Sequence, residues 1–171
     1  MTVAVQTGLW QLDASASTVA LKQKTMWNLV TVKGAFTDLA GGGEVGADGS
    51  VTGTLTLGVA SLDTKNAKRD EHLRGADFFD VDNHPEITFV VRAAELGADA
   101  TVNVSGQLTV RGISRPKSFT ARLTQADADA VTLDAEFTVD RNDFGLGWGQ
   151  LGMIRGLTTA TATLRFTRTA D

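Results

Sequence analysis

The chain has no cysteine, only two histidines, and no stretch near the ~20 apolar residues that a membrane-spanning helix needs. Each shortage removes a class of explanation. Without cysteine there are no disulfides and no thiolate metal sites. With two histidines, a zinc or iron centre would have to lean on carboxylates, against the preference of such metals for His and Cys. No metal and no cofactor are therefore expected. A basic excess is missing too: 16 Lys and Arg stand against 20 Asp and Glu, a formal net charge of −4. A nucleic-acid partner would need a basic face, so none is expected. Internal repeats, linkers and low-complexity tracts are absent. The 171 residues, 42% hydrophobic and 21% charged, read as one folded domain over 1–171. The opening MTVAVQTGLWQLD has no basic start, no long apolar run and no small-residue cleavage site. It does not read as a secretory signal, and the expected compartment is the cytoplasm.

What the sequence does have is a period of two. Val19 and Leu21 alternate with polar residues, as do Val30, Val32 and Phe36. The pattern recurs in Val51, Leu55, Leu57 and Val59, then in Ile87, Phe89 and Val91, then in Val102, Val104, Leu108 and Val110. Phe119 and Leu123 follow, then Val131, Leu133, Phe137 and Val139, and last Leu164 and Phe166. Such alternation marks strands with one buried face. Threonine fills many opposite positions, as strand propensity favours. Turn signals separate the runs, Asp48-Gly49 being the strongest. About eight antiparallel strands with short turns make an all-β sandwich or an up-and-down barrel. Parity also turns Ala93, Gly106, Ala121, Ala135, Ala160 and Ala162 inward. Six small residues on the axis leave room for a ligand, or fit the taper of a solid core.

One segment resists the pattern. Residues 65–75, KNAKRDEHLRG, suit a helix with Thr64 as N-cap and Gly75 as stop, and Pro85 opens the next strand. In up-and-down order the turns at 38–50, 95–100 and 125–130 share one end, which carries acids and no Lys or Arg. The other end gathers the 24–28 turn, the 63–85 insertion, the 111–117 turn and the 140–156 connection. It is mixed in charge and aromatic, with Trp27, Phe78, Phe79, Phe144 and Trp148. Parity aims Asp63 and Arg141 inward there, as an ion pair under the cap. Asp70 and His72 suggest acid–base chemistry, but no Ser or Cys nucleophile accompanies them, and positions two apart do not share a helix face. Structural roles are expected for His72 in the cap and for His84 at a turn. Leu73, Phe78 and Phe79 are expected to face the barrel, with Lys68, Glu71 and Arg74 in water.

The run SLDTKNAKRDEHLRGADFFDVDNHPEITF at 61–89 closely resembles the signature of the YceI-like, or polyisoprenoid-binding, family. The resemblance continues through GLWQLD at 8–13, VKGAF at 32–36, VSGQLTVRGISRPKSF at 104–119 and DRNDFGLGW at 140–148, in order, over nearly the whole chain. It implies a lipocalin-like up-and-down antiparallel β-barrel with a short helical insertion capping one end. It also implies a ligand class: isoprenoid chains or related amphiphilic lipids. Two positions depart from the family pattern. Ala16 and Thr25 stand where relatives usually carry histidine, which implies a different head group or weaker binding. Many relatives are exported, and their leader is not seen here.

The expected function is therefore binding and sequestration or transport of a long-chain amphiphilic lipid, polyisoprenoid or isoprenoid-quinone-like, without catalysis. The expected ligand-binding residues are Leu21, Trp27, Phe36, Leu55, Leu57, Phe78, Phe79, Phe89, Val91, Leu108, Phe119, Ala135, Phe137, Arg141, Phe144 and Trp148. A homodimer is left open. Two alternatives stand beside this reading: an enzyme on a lipid-like substrate, with Asp70, His72 and Arg141 at the mouth, and a packed barrel that works through protein contacts.

Overall fold

A computed structural model of the chain describes residues 7–25, 30–47, 50–65, 67–75, 80–140 and 157–169. Alternation of apolar and polar residues becomes ten strand segments in one sheet: β1 Gly8–Leu12, β2 Thr18–Thr25, β3 Val30–Phe36, β4 Leu39–Val45, β5 Val51–Gly58, β6 Glu86–Leu96, β7 Thr101–Val110, β8 Ile113–Ala126, β9 Ala130–Asp140 and β10 Leu157–Arg168. Every ladder is antiparallel. β10 lies along β9 on one side. On the other it pairs with β2 through Thr159–Thr163 and with β1 through Phe166–Arg168. β1 and β2 are thus one long stave, bent at residues 13–17. β3 and β4 form a second bent stave beside it. The β1–β10 ladder closes the sheet into an eight-stranded up-and-down barrel. Closure leaves the ladder partners of the staves inside the wall rather than at open edges.

The corner at 13–17 has its own bonds. The Arg165 N–H donates to Ser17 Oγ (2.9 Å), and Ser17 Oγ donates to the Asp13 carbonyl (2.7 Å). Ser17 is buried, while Ala16 beside it is exposed in the 3-10 turn Ala14–Ala16.

Two strands were hidden in the sequence. Residues 39–45, expected within an acidic turn, are β4, and residues 8–12 are β1. The Gly41-Gly42-Gly43 run looks like a loop. In the sheet, Gly43 pairs with the buried Trp10, and a Cβ on Gly43 would stand 2.5 Å from the Thr52 carbonyl. Bare backbone is what this close strand packing accepts. Asp38 leaves the acidic end altogether, since its carbonyl accepts the N–H of Gly58 at the other end of β5. The acidic end also holds a cation: Arg168 lies 3.8 Å from Asp129.

Trp10, Leu123 and Val131, packed with Val45, Ala100, Val102, Leu133 and Phe166, plug that end from inside. The larger apolar cluster includes Leu12, Phe36, Leu57, Ile87, Leu108 and Val110. It continues into the β5–β6 insertion through Val59, Leu62 and Val81. Helix α1 in that insertion spans Ala67–Arg74. Among the described residues, no helix is long and apolar enough to cross a membrane.

Candidate functional site

Cross-strand partners share a face, so register alone traces the inner wall. Leu55 pairs with Phe89, and Phe89 with Leu108. Val91 pairs with Gly106, Val104 with Phe119, and Ala121 with Ala135. Ala135 and Phe137 face Ala162 and Ala160, which face Val19 and Leu21. Val19 faces Phe36, and Leu39 faces Leu57. Ten of the expected lining residues therefore lie on this one face: Leu21, Phe36, Leu55, Leu57, Phe89, Val91, Leu108, Phe119, Ala135 and Phe137. Trp27, Phe78, Phe79, Arg141, Phe144 and Trp148 lie outside the described residues.

Burial divides the inner face. Phe36, Leu57 and Leu108 are buried. Leu21, Leu55, Phe89, Val91, Phe119, Ala135 and Phe137 keep accessible surface, as do Ala162 and Leu164. An apolar side chain turned inside a closed barrel yet still accessible borders space that no side chain fills. Phe89, Phe119 and Phe137 form a continuous aromatic line across β6, β8 and β9. Phe89 and Phe119 have ring centroids 5.5 Å apart, and Phe119 stacks on Phe137 at 4.7 Å.

The six small residues do not act alike. Ala121 and Ala160 are covered, at 3% and 5% exposure, while Ala135 and Ala162 stay accessible. Gly106 leaves no free volume. A Cβ there would lie 2.1 Å from the Val90 carbonyl and 3.0 Å from the Phe89 ring, so Gly106 is the bare backbone that ring needs. Ala93 is not inside at all. The ladder shifts between Val91 and Ala93, and this bulge reverses parity, so that Ala93 is exposed and Ala94 pairs with buried Val104.

Parity places three cations on the inner face: Arg168 opposite Trp10 at the plugged end, and two on β8. Lys117 pairs with Gly106 and Arg115 with Leu108. Both fall in the 111–117 stretch expected as a turn. The turn is only Arg111-Gly112, with φ of 52° and 76°, and β8 starts at Ile113. Counting back by twos from Phe119 would have found them. Their stretch of wall is also unusual. Among the described residues β8 pairs with β9 only from Ala121 to Ala126, so 116–120 and 136–140 face each other without a ladder. The hairpin register accounts for part of this. A two-residue turn makes Val110–Ile113 a hydrogen-bonded pair, and alternation makes Gln107–Pro116 a non-bonded one. The Pro116 nitrogen therefore faces β9, where it has no proton to give. Across this split, the Lys117 ammonium donates to the Thr138 carbonyl and sits 5.4 Å from the centre of the Phe137 ring.

The insertion at the same end is held by Asp70. Buried at 7% exposure, its Oδ1 accepts the N–H (2.9 Å) and the Oγ1–H (2.5 Å) of Thr64, itself 5% exposed. Thr64 is thus not the N-cap of α1, which begins three residues later. The Asp70 carboxylate ties the loop before the helix to the helix. Arg74, expected in water, is half-buried. The backbone of His72 belongs to α1, and its side chain lies outside the described residues. His84 sits at a turn, its N–H on the Asp80 carbonyl (2.8 Å), with its ring against Gly112. Asp63 is not buried either. β5 ends at Gly58, a 3-10 turn follows, and parity is lost before residue 63. Its carboxylate accepts the Lys65 N–H (2.8 Å) and meets Lys65 Nζ at 3.4 Å in solvent. Those bonds, the backbone one foremost, hold its pKa below the ordinary aspartate value. Among the described residues, no group of three or more His, Asp or Glu is placed to hold a metal ion.

A second hollow, of about 810 Å³, lies outside the wall over β1, β4, β5 and β6. Leu9 and Val90 border it, exposed at 54% and 39%, and Gly42, Gly43 and Gly53 leave bare backbone on its floor.

Fold and inner face together define a closed antiparallel barrel whose candidate site is its own interior. The chain belongs to the YceI-like domain family, whose model matches residues 10–170. It is similar to a UPF0312 protein of Pseudomonas putida (strain GB-1), 35% identical over 54% of this chain and 51% of that one. The chain thus spans about half the length of the first curated relatives it matches. A UPF0312 protein of Staphylococcus aureus (strain MSSA476) is 31% identical over 70% of this chain and 71% of its own length. Among solved structures, BcnA of Burkholderia cenocepacia superimposes with a TM-score of 0.81 at 23% identity, covering 90% of this chain and 98% of that one. A polyisoprenoid binding domain from Saccharophagus degradans gives 0.77 at 17% identity, covering 96% and 100%. At these identities the likeness is one of fold.

Proposed function

We propose that the barrel binds a long-chain amphiphilic lipid, polyisoprenoid or isoprenoid-quinone-like, and sequesters or carries it without chemical change. The observation that carries this reading is the accessible apolar inner face, with Phe89, Phe119 and Phe137 in line and Ala135 and Ala162 open beside them. A flexible chain gains from burial there in proportion to its apolar area, about 25 cal/mol per Å². The Saccharophagus degradans domain, a polyisoprenoid binder by its description, lends the ligand class. An enzymatic reading has less to stand on, because Asp70, its proposed acid–base residue, is committed to both donors of Thr64.

The first test is mass spectrometry of lipids extracted from the purified native protein, which should return a long apolar chain. The second is Ala135→Phe, which should fill the open space and reduce uptake of a fluorescent isoprenoid at least tenfold with the fold intact. Undiminished uptake would place the tail elsewhere. Unfolding would mean a packed axis, since overpacking costs about 1–3 kcal/mol. Turnover of a lipid that Asp70→Asn abolishes would establish the enzyme instead.

A further inference from the structure

We propose that the split between β8 and β9 seats an anionic head group, a phosphate or carboxylate on the end of the lipid, with Lys117 as its cation. The inference rests on the lipid-barrel reading and adds a head to the tail. Three observations carry it. First, the inner face is one-sided in charge. By register Glu44, Glu86, Glu95, Asp134 and Glu136 all lie on the outer face, opposite Leu9, Gly58, Asn103, Arg122 and Thr161. Arg115, Lys117 and Arg168 lie on the inner one, Arg168 at the plugged end against Asp129 and Lys117 at the split. Second, Lys117 is held by neutral partners, the Thr138 carbonyl and the Phe137 ring, and no carboxylate among the described residues pairs with it. The carbonyl and the ring leave the ammonium without a counter-charge, and an anion beside it adds the Coulomb attraction between opposite charges, which grows as water is excluded. Third, the ladder is missing where the head would sit. The hairpin register turns the N–H groups of Ser118 and Thr120 towards the same opening, beside the ammonium. The aromatic line begins directly below, at Phe119 and Phe137. One amphiphile can thus span both, its tail on the rings and its anion in the split.

Farnesol and farnesyl phosphate share a tail and differ in charge, and isothermal titration with the two separates the contributions. Wild-type protein should bind the phosphate about tenfold or more tighter. Lys117→Met should bind both probes as wild type binds farnesol, and Lys117→Arg should keep the preference. A wild type without preference, or a Lys117→Met variant that retains it, overturns the proposal and leaves the lipid barrel standing. Failure of wild type to bind either probe overturns the barrel reading itself. A lysine that only closes the wall predicts equal binding of both probes by every variant. A second measurement needs no variant. Acylation of lysines followed by mass spectrometry should show Lys117 shielded by farnesyl phosphate and not by farnesol, with exposed Lys22 and Lys33 unchanged. Equal shielding by the two would also refute the seat.

Discussion

Asp70 holds two donors of one residue with a single oxygen, and both residues are buried. Asp70→Ala should leave the N–H and the hydroxyl of Thr64 buried without that acceptor. A cost of about 1–3 kcal/mol is expected in urea unfolding. Asp63, seven positions earlier and on the same insertion, behaves differently because it is in solvent. Its lowered pKa means that its share of stability is present above the ordinary aspartate range and is lost as pH falls through the lowered value. Asp63→Asn should therefore lower the unfolding midpoint slightly at neutral pH, flatten its pH dependence below about pH 4, and match wild type once the pH is below both pKa values. The two residues mark a limit of sequence reading. Asp63 was assigned inward by strand parity, and parity stops where the strand stops. Asp70 was legible as important, but its partner six positions back could not be named from spacing. The inward placement of Lys117 was legible, since Phe119 is two residues away on the same strand, but the turn was expected to run through 117.

Strand parity holds as long as no residue is inserted, and the bulge at Arg92 shows the consequence. Ala94→Asp should destabilise by about 2 kcal/mol or more in thermal unfolding, because it puts a charge beside buried Val104. Ala93→Asp, one residue away, should stay within about 0.5 kcal/mol of wild type. Eight staves and their order were readable because alternation and short turns are local signals. β1 and β4 were not, because their meaning lies in each other: Trp10 needs Gly43, and neither residue announces the other. The split in β8 is likewise a property of two strands. Amides of Ser118 and Thr120 should exchange faster than that of Arg122, since only Arg122 stands opposite a ladder partner on β9.

As a whole, the barrel is plugged at the acidic end by the Trp10 cluster and lined by apolar side chains along its length, so filling it should act on the entire molecule. A ligand at a hundred times its Kd should stabilise the fold by about 2.7 kcal/mol, read as a higher unfolding midpoint that scales with ligand concentration. The way the wall closes has a further consequence, in time rather than in space. Trp10 and Leu12 meet Arg168 and Phe166, so residues more than 150 positions apart form the final ladder. Loop closure of that length brings no reward until it is complete. Sequence-near ladders, from β2–β3 and β4–β5 to β9–β10, can zip on a growing chain, while the ladders of β10 with β1 and β2 wait for the last strand. Refolding should accordingly be slow, in the millisecond-to-second range of high-contact-order β proteins, with β1–β10 protection appearing last in pulse-labelled exchange. Until then β10 offers an unpaired strand edge, the moment at which two half-made barrels would pair with each other instead of with themselves.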